Sequence, residues 1–235
     1  MTVPDPQSGP TLAQIDADGA IQETLEAATG STRAQFLGSA ALGSTALLAW
    51  LSEPAGAALG PKQDTAILNY ALVFEHLQAG FYTEAESLGT VRAMDARRER
   101  WARTLGAHER AHVRILKDVL GRRAVAKPFF NYRGVTEDAE GFTRTAVAME
   151  DLTVALLAGQ APRVSDRPLR AAFFSLLTVE ARHAAWARRI IGFRPVAAAF
   201  DRPKTLAQVD RVVRSTRFLV SRPRSEGGGS PRFTG

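Results

Sequence analysis

The sequence predicts an all-α protein: a four-helix bundle with a long crossover between its second and third helices, followed by a short C-terminal helix. Three observations carry this reading. From Pro61 to about Gly192 apolar residues recur three and four positions apart, and alternating strand patterns are scarce. That stretch divides into four long helical segments at glycine and proline signals. The first and second segments, and the third and fourth, are joined by short loops. The second and third are separated by roughly twenty residues, long for a bundle loop.

In chain order, residues 1–30 carry Asp5, Asp16, Asp18, Glu23 and Glu26 and no lysine or arginine, and with Pro4, Pro6 and Pro10 they read as an acidic disordered tail. Residues 31–60 form a signal-peptide-like segment. The run from Phe36 to Leu51 has no charge, Pro54 breaks it, and Ala55-Gly56-Ala57 offers an A-x-A cleavage site. Thr32-Arg33-Ala34-Gln35-Phe36-Leu37 resembles a twin-arginine export signal, although Ala34 stands where the second arginine belongs and the preceding tail is acidic. Export to the cell envelope is the expected localisation. A buried Ala/Leu helix of a cytoplasmic protein is the other reading, and membrane contact is expected only if the segment stays uncleaved.

The bundle spans residues 61–193. Its first helix is expected from about Thr65 to Ser87 with Asp64 or Thr65 as cap. The second runs from about Ala93 to a stop at Gly121, and the third from about Asp138 to a stop at Gly159. The fourth starts near Pro168, a residue suited to a first turn, and ends near Gly192. Residues 194–221 form an extension with a fifth helix over Leu206–Val220, and 222–235 (RPRSEGGGSPRFTG) read as a disordered end.

The 235 residues are 45% hydrophobic and 23% charged, which excludes wholesale disorder and a polytopic membrane protein. With no cysteine, disulfides, thiolate zinc sites, iron–sulfur clusters and a cysteine nucleophile are excluded. The net charge of +6 permits an anionic partner. The arginines from Arg92 to Arg103 are interspersed with Asp95 and Glu99, as on a solvated helix face, so no nucleic-acid partner is expected. The sequence carries no oligomerisation signal.

The chemistry lies in where the acids fall. Glu75, Glu109, Glu150 and Glu180 each sit in the middle of one helix's apolar stripe. Glu109 and His112 are three residues apart, as are Glu180 and His183, so each pair shares a helix face. Two hairpins therefore repeat one pattern, Glu followed by Glu-x-x-His. A single glutamate on an apolar stripe usually sits at its edge with its head in water. Four in one core are another matter, because an ionised carboxylate buried alone costs several kcal/mol or shifts its pKa until it is neutral. Two divalent cations would balance four carboxylates with both imidazoles neutral. Carboxylate and imidazole donors suit iron or manganese.

These residues resemble the ferritin-like di-iron carboxylate superfamily, whose sites pair two single-Glu helices with two Glu-x-x-His helices. More narrowly, ILNYALVFEHLQAGFYTEA, HERAHVRIL, AVAMEDLTVALLAG, LTVEARHAAWARRI and the later FRPVAAAFDRPKTLAQV resemble the bacterial ferritin-like family that includes desiccation-related proteins. The resemblance implies a ferritin-like bundle holding two iron (or manganese) ions. Glu75 and Glu150 would be terminal ligands, Glu109 and Glu180 bridging ligands, and His112 and His183 one imidazole for each ion. It also implies metal-dependent redox activity of the ferroxidase or oxidase type, with O₂ or peroxide as co-reactant. Gln78 stands where relatives often have a second glutamate. Tyr82, two turns beyond Glu75, resembles the tyrosine near the metals in ferritin-type sites, and a core tyrosine with a bonded hydroxyl is the plainer reading.

Two alternatives stand beside this one. The bundle could hold metal structurally, as a non-catalytic envelope or stress protein. Alternatively, His108-Glu109-Arg110-Ala111-His112 spells H-E-x-x-H, the signature of a zinc hydrolase. That reading leaves Glu75, Glu150, Glu180 and His183 without a role. In the dinuclear reading His108 is exposed or touches a ligand, and His76 lies off the metal face.

Overall fold

The computed structural model describes residues 62–221. The acidic tail, the signal-peptide-like segment and the 222–235 end lie outside the described residues. Four long helices form the body: α1 (Lys62–Ser87), α2 (Ala96–Leu120), α3 (Ala139–Gln160) and α4 (Arg167–Ile190), with α5 (Leu206–Thr216) beyond them. None of the described helices is long and apolar enough to cross a membrane.

Short acidic side chains start three of the long helices. Asp95 accepts from the Arg97 and Arg98 amides, Asp138 from Glu140 and Gly141, and Asp166 from Leu169. Each satisfies N–H groups that a first turn leaves unpaired. The second helix accordingly begins at Ala96, not at Ala93. Thr205 and Gln208 form a reciprocal capping box at the start of α5. Asp64 does not cap the first helix, which already begins at Lys62. Its buried carboxylate instead takes the Ser165 and Asp166 amides, each at 2.9 Å, and ties the start of α1 to the loop before α4.

α1 packs chiefly on α2, and α3 on α4. Two large apolar clusters fill the space between the four long helices, and a third, with Phe74, Leu156, Val209 and Val213, seats α5. Of the large pair, one contains Phe81, Trp101, Phe142 and Ile190, and the other contains Leu68, Leu116, Leu157 and Phe173. Running along α1 or α4 the clusters occur in one order, and along α2 or α3 in the reverse order. Hence α2 and α3 point the same way, and the crossover must travel the length of the bundle.

That crossover is not simply a loop. It contains β1 (Phe129–Phe130), which pairs antiparallel with β2 (Leu219–Val220) near the end of the described chain. Tyr132, buried just after β1, donates its hydroxyl to Leu77 O at 2.9 Å. The fifth helix therefore stops at Thr216 instead of continuing to Val220. Arg217 turns into the left-handed region (φ 56°), and its carbonyl accepts from the Arg133 guanidinium. Gly159 does not end α3 either. It is the next-to-last residue of the helix, and a Cβ there would run into the Lys204 backbone, whose amide donates to Ala155 O at 2.8 Å. Gly121 and Gly192, with positive φ, do mark the ends of α2 and α4.

Candidate metal centre

On each of the four long helices a glutamate marks the switch from one apolar cluster to the other. Glu75 follows Leu72 and precedes Leu77; Glu109 lies between Leu105 and Leu116; Glu150 between Met149 and Leu157; Glu180 between Phe173 and Ala187. All four glutamates are fully buried. The helix periodicity that lines up the two clusters thus delivers four carboxylates to one level of the interior.

Both imidazoles join them with Nδ1 turned inward. His112 Nδ1 lies 3.0 Å from Glu180 Oε1, 3.2 Å from Glu75 Oε2 and 3.4 Å from Glu109 Oε2. His183 Nδ1 lies 3.0 Å from Glu109 Oε1, 3.5 Å from Glu180 Oε2 and 3.8 Å from Glu150 Oε2. Glu109 and Glu180 therefore each present one oxygen to either imidazole. Two overlapping groups result, Glu75/Glu109/His112/Glu180 and Glu109/Glu150/Glu180/His183, and each has donor atoms close enough to hold a metal ion.

Charge in this cluster is finely divided. Burial pushes the Glu75 and Glu150 carboxyls well above the usual range, and the charges of Glu109 and Glu180 add to the effect at both. Burial acts on Glu109 in the same sense, but the contacts from His112 and His183 outweigh it and hold the group below the usual carboxylate range. Burial and the charge of Glu109 press Glu180 upward, and the same two imidazoles again prevail. Burial opposes a charge on His183, but Glu109 and Glu180 push it up to about 11. His112 is likewise raised well above its usual value against burial, by Glu75, Glu109 and Glu180.

Protons alone leave much of this cluster unpaired. Despite the close imidazole contacts, Glu75 Oε1, Glu150 Oε2, both oxygens of Glu109 and Glu180, and His183 Nδ1 are buried without a well-aligned hydrogen bond among the described residues. Buried polar atoms are rarely left so. Oxygen and imidazole donors converging in this manner could hold a divalent metal ion in each group. These donors are the six residues singled out from the sequence.

Around them, Tyr82 donates its hydroxyl to Glu150 Oε1 at 2.7 Å. Gln78, fully buried, accepts from the Thr153 hydroxyl. His76 is buried but belongs to neither group. His108 is exposed, and its Nδ1 lies 2.9 Å from His183 Nε2. It therefore stands outside both donor groups, whereas an H-E-x-x-H zinc site needs His108 and His112 on one ion. Sequence reasoning placed His108 at the edge of the site without finding its partner on α4. The Arg188–Asp151 pair beside the site, bidentate at 2.7 and 2.6 Å, was not foreseen; its i+1 position after Glu150 was the one available hint.

A comparison with curated proteins finds no match. The family model described as a ferritin-like domain matches residues 63–192, a span that includes all four glutamates and both imidazoles. The chain belongs to the ferritin-like domain family.

Proposed function

We propose that this ferritin-like protein binds two iron ions, or manganese in their place, and uses them for oxidation by O₂ or peroxide. One observation carries the reading: four fully buried glutamates and two imidazoles supply two overlapping donor groups, each with donor atoms within 4.8 Å of one another. When bound, such a pair supplies two electrons' worth of redox change at one place. The protein's own part is to fix the donors. Glu75 and Glu150 would each serve one position, Glu109 and Glu180 would span both, and His112 and His183 would complete them. The apolar clusters above and below keep bulk water away.

The close enclosure also favours a second reading, a metal-holding protein without turnover: the His183 side chain is 4% exposed and that of His112 11%. Metal analysis of the purified chain, followed by stopped-flow absorbance after mixing with ferrous iron and O₂, separates the two. About two ions per chain and an oxidation transient support the redox reading. Bound ions without a transient support the non-catalytic one. Glu180→Ala should abolish metal binding; retention of one zinc through His108 and His112 would favour the hydrolase. We propose also that the protein acts in the cell envelope, which N-terminal sequencing of the mature chain tests.

A further inference from the structure

The two halves of the donor cluster are not supported equally. Around Glu150 and His183, both terminal donors are held from outside: Tyr82 donates to Glu150 Oε1 at 2.7 Å, and His108 Nδ1 sits 2.9 Å from His183 Nε2. Around Glu75 and His112, neither is. Glu75 Oε1 is buried without a partner, and no protein group among the described residues hydrogen-bonds His112 Nε2. The His112 side chain is also the more open of the two imidazoles, 11% exposed against 4%.

We infer that His108 is a positioning residue for one of the two cation positions: by holding His183 it makes the Glu150/His183 position bind its ion more tightly than the Glu75/His112 position. This rests on the dinuclear reading above. With Nδ1 of His183 directed at the ions, its remaining ring proton sits on Nε2 and is donated to His108 Nδ1. That contact locks the tautomer and ring angle of His183 and strengthens its Nδ1 as a donor. His108 reaches this position because it precedes Glu109 on α2 and faces α4 across the bundle. Its own outer edge reaches solvent, so it supports the ligand without closing the core. The pair thus joins the two hairpins at the site itself.

The test is a titration of the metal-free full chain with Co²⁺ alone, followed by calorimetry and by the visible absorption of the bound ion. The wild type should take up ions in two steps, the first at least about tenfold tighter, since loss of such an outer partner typically changes affinity by about 10–100-fold. His108→Phe should weaken the first step by about 10–100-fold, shift its absorption and leave the second step alone. His108→Gln, which keeps an acceptor, should restore part of the affinity. Glu75→Gln should remove the second step and spare the first, identifying which is which. Circular dichroism of each variant should match the wild type, as expected for an exposed histidine and an isosteric amide. Two ions bound in one unresolved step, or a His108→Phe change confined to the weaker step, would overturn the inference while leaving the dinuclear site standing. Failure of the wild type to bind any cation would overturn the site itself.

Discussion

The Tyr82 hydroxyl donates to Glu150 Oε1 across 2.7 Å, and neither side chain meets solvent. Burial and the neighbouring Glu150 push the phenol well above its usual pKa, so it remains a donor. The bond links α1 to α3, two helices from different hairpins. Tyr82→Phe keeps the ring in its aromatic cluster with Trp101 and Phe142 and removes only the hydroxyl. It should destabilise the ion-free protein by about 1–3 kcal/mol, the cost of orphaning a buried acceptor. Urea unfolding measures this, and an unchanged midpoint would show the bond to be idle.

Ion uptake should release protons. Burial raises the Glu75 and Glu150 carboxyls, and the neighbouring carboxylates raise His112 and His183, so protons compete with a cation for these donors. Loading the site should therefore release protons, and apparent affinity should fall as pH falls. Calorimetry in buffers of different ionisation enthalpy counts them. A count near zero would contradict the protonation pattern.

Stripping the ions should lower thermal stability, because ions that bind the native chain and not the unfolded one stabilise by mass action. At a free concentration of about a thousand times Kd the effect is about 4 kcal/mol, a melting shift on the order of 10 °C for a chain of this size. Scanning calorimetry with and without a chelator checks it. A chelator-insensitive transition would mean that the cluster holds no ion under those conditions.

Gly159→Ala tests the contact between α3 and the segment before α5. Alanine gains about 1 kcal/mol as a helix former. Its Cβ, however, would meet the Lys204 backbone, and relieving that overlap costs about 1–3 kcal/mol. A net loss of stability is expected, together with faster proteolysis between residues 193 and 204. Greater stability with unchanged proteolysis would show that the segment yields without cost.

Most of the helical body, and the level at which the acids meet, could be read from the sequence, because helix periodicity is local. Once Glu75, Glu109, Glu150 and Glu180 fall mid-stripe on four helices, packing the stripes brings them together. What escaped the reading depends on pairings between distant segments. A two-residue strand such as Phe129–Phe130 has no pattern of its own, and its partner at Leu219–Val220 lay within a stretch that reads as helix. Gly159 resembles a helix stop until Lys204 is seen beside it. Asp64 resembles a cap until the Ser165 and Asp166 amides claim it. The contact between His108 and His183 joins residues 75 positions apart, and nothing near either one announces the other.

Each donor group draws on three helices: Glu75, Glu109, His112 and Glu180 on α1, α2 and α4, and Glu109, Glu150, Glu180 and His183 on α2, α3 and α4. Neither hairpin by itself contains a complete set. A chain emerging from the ribosome therefore has no finished cation trap until its fourth helix has been made and has found the second. Any ion these groups hold would be captured only once assembly is complete.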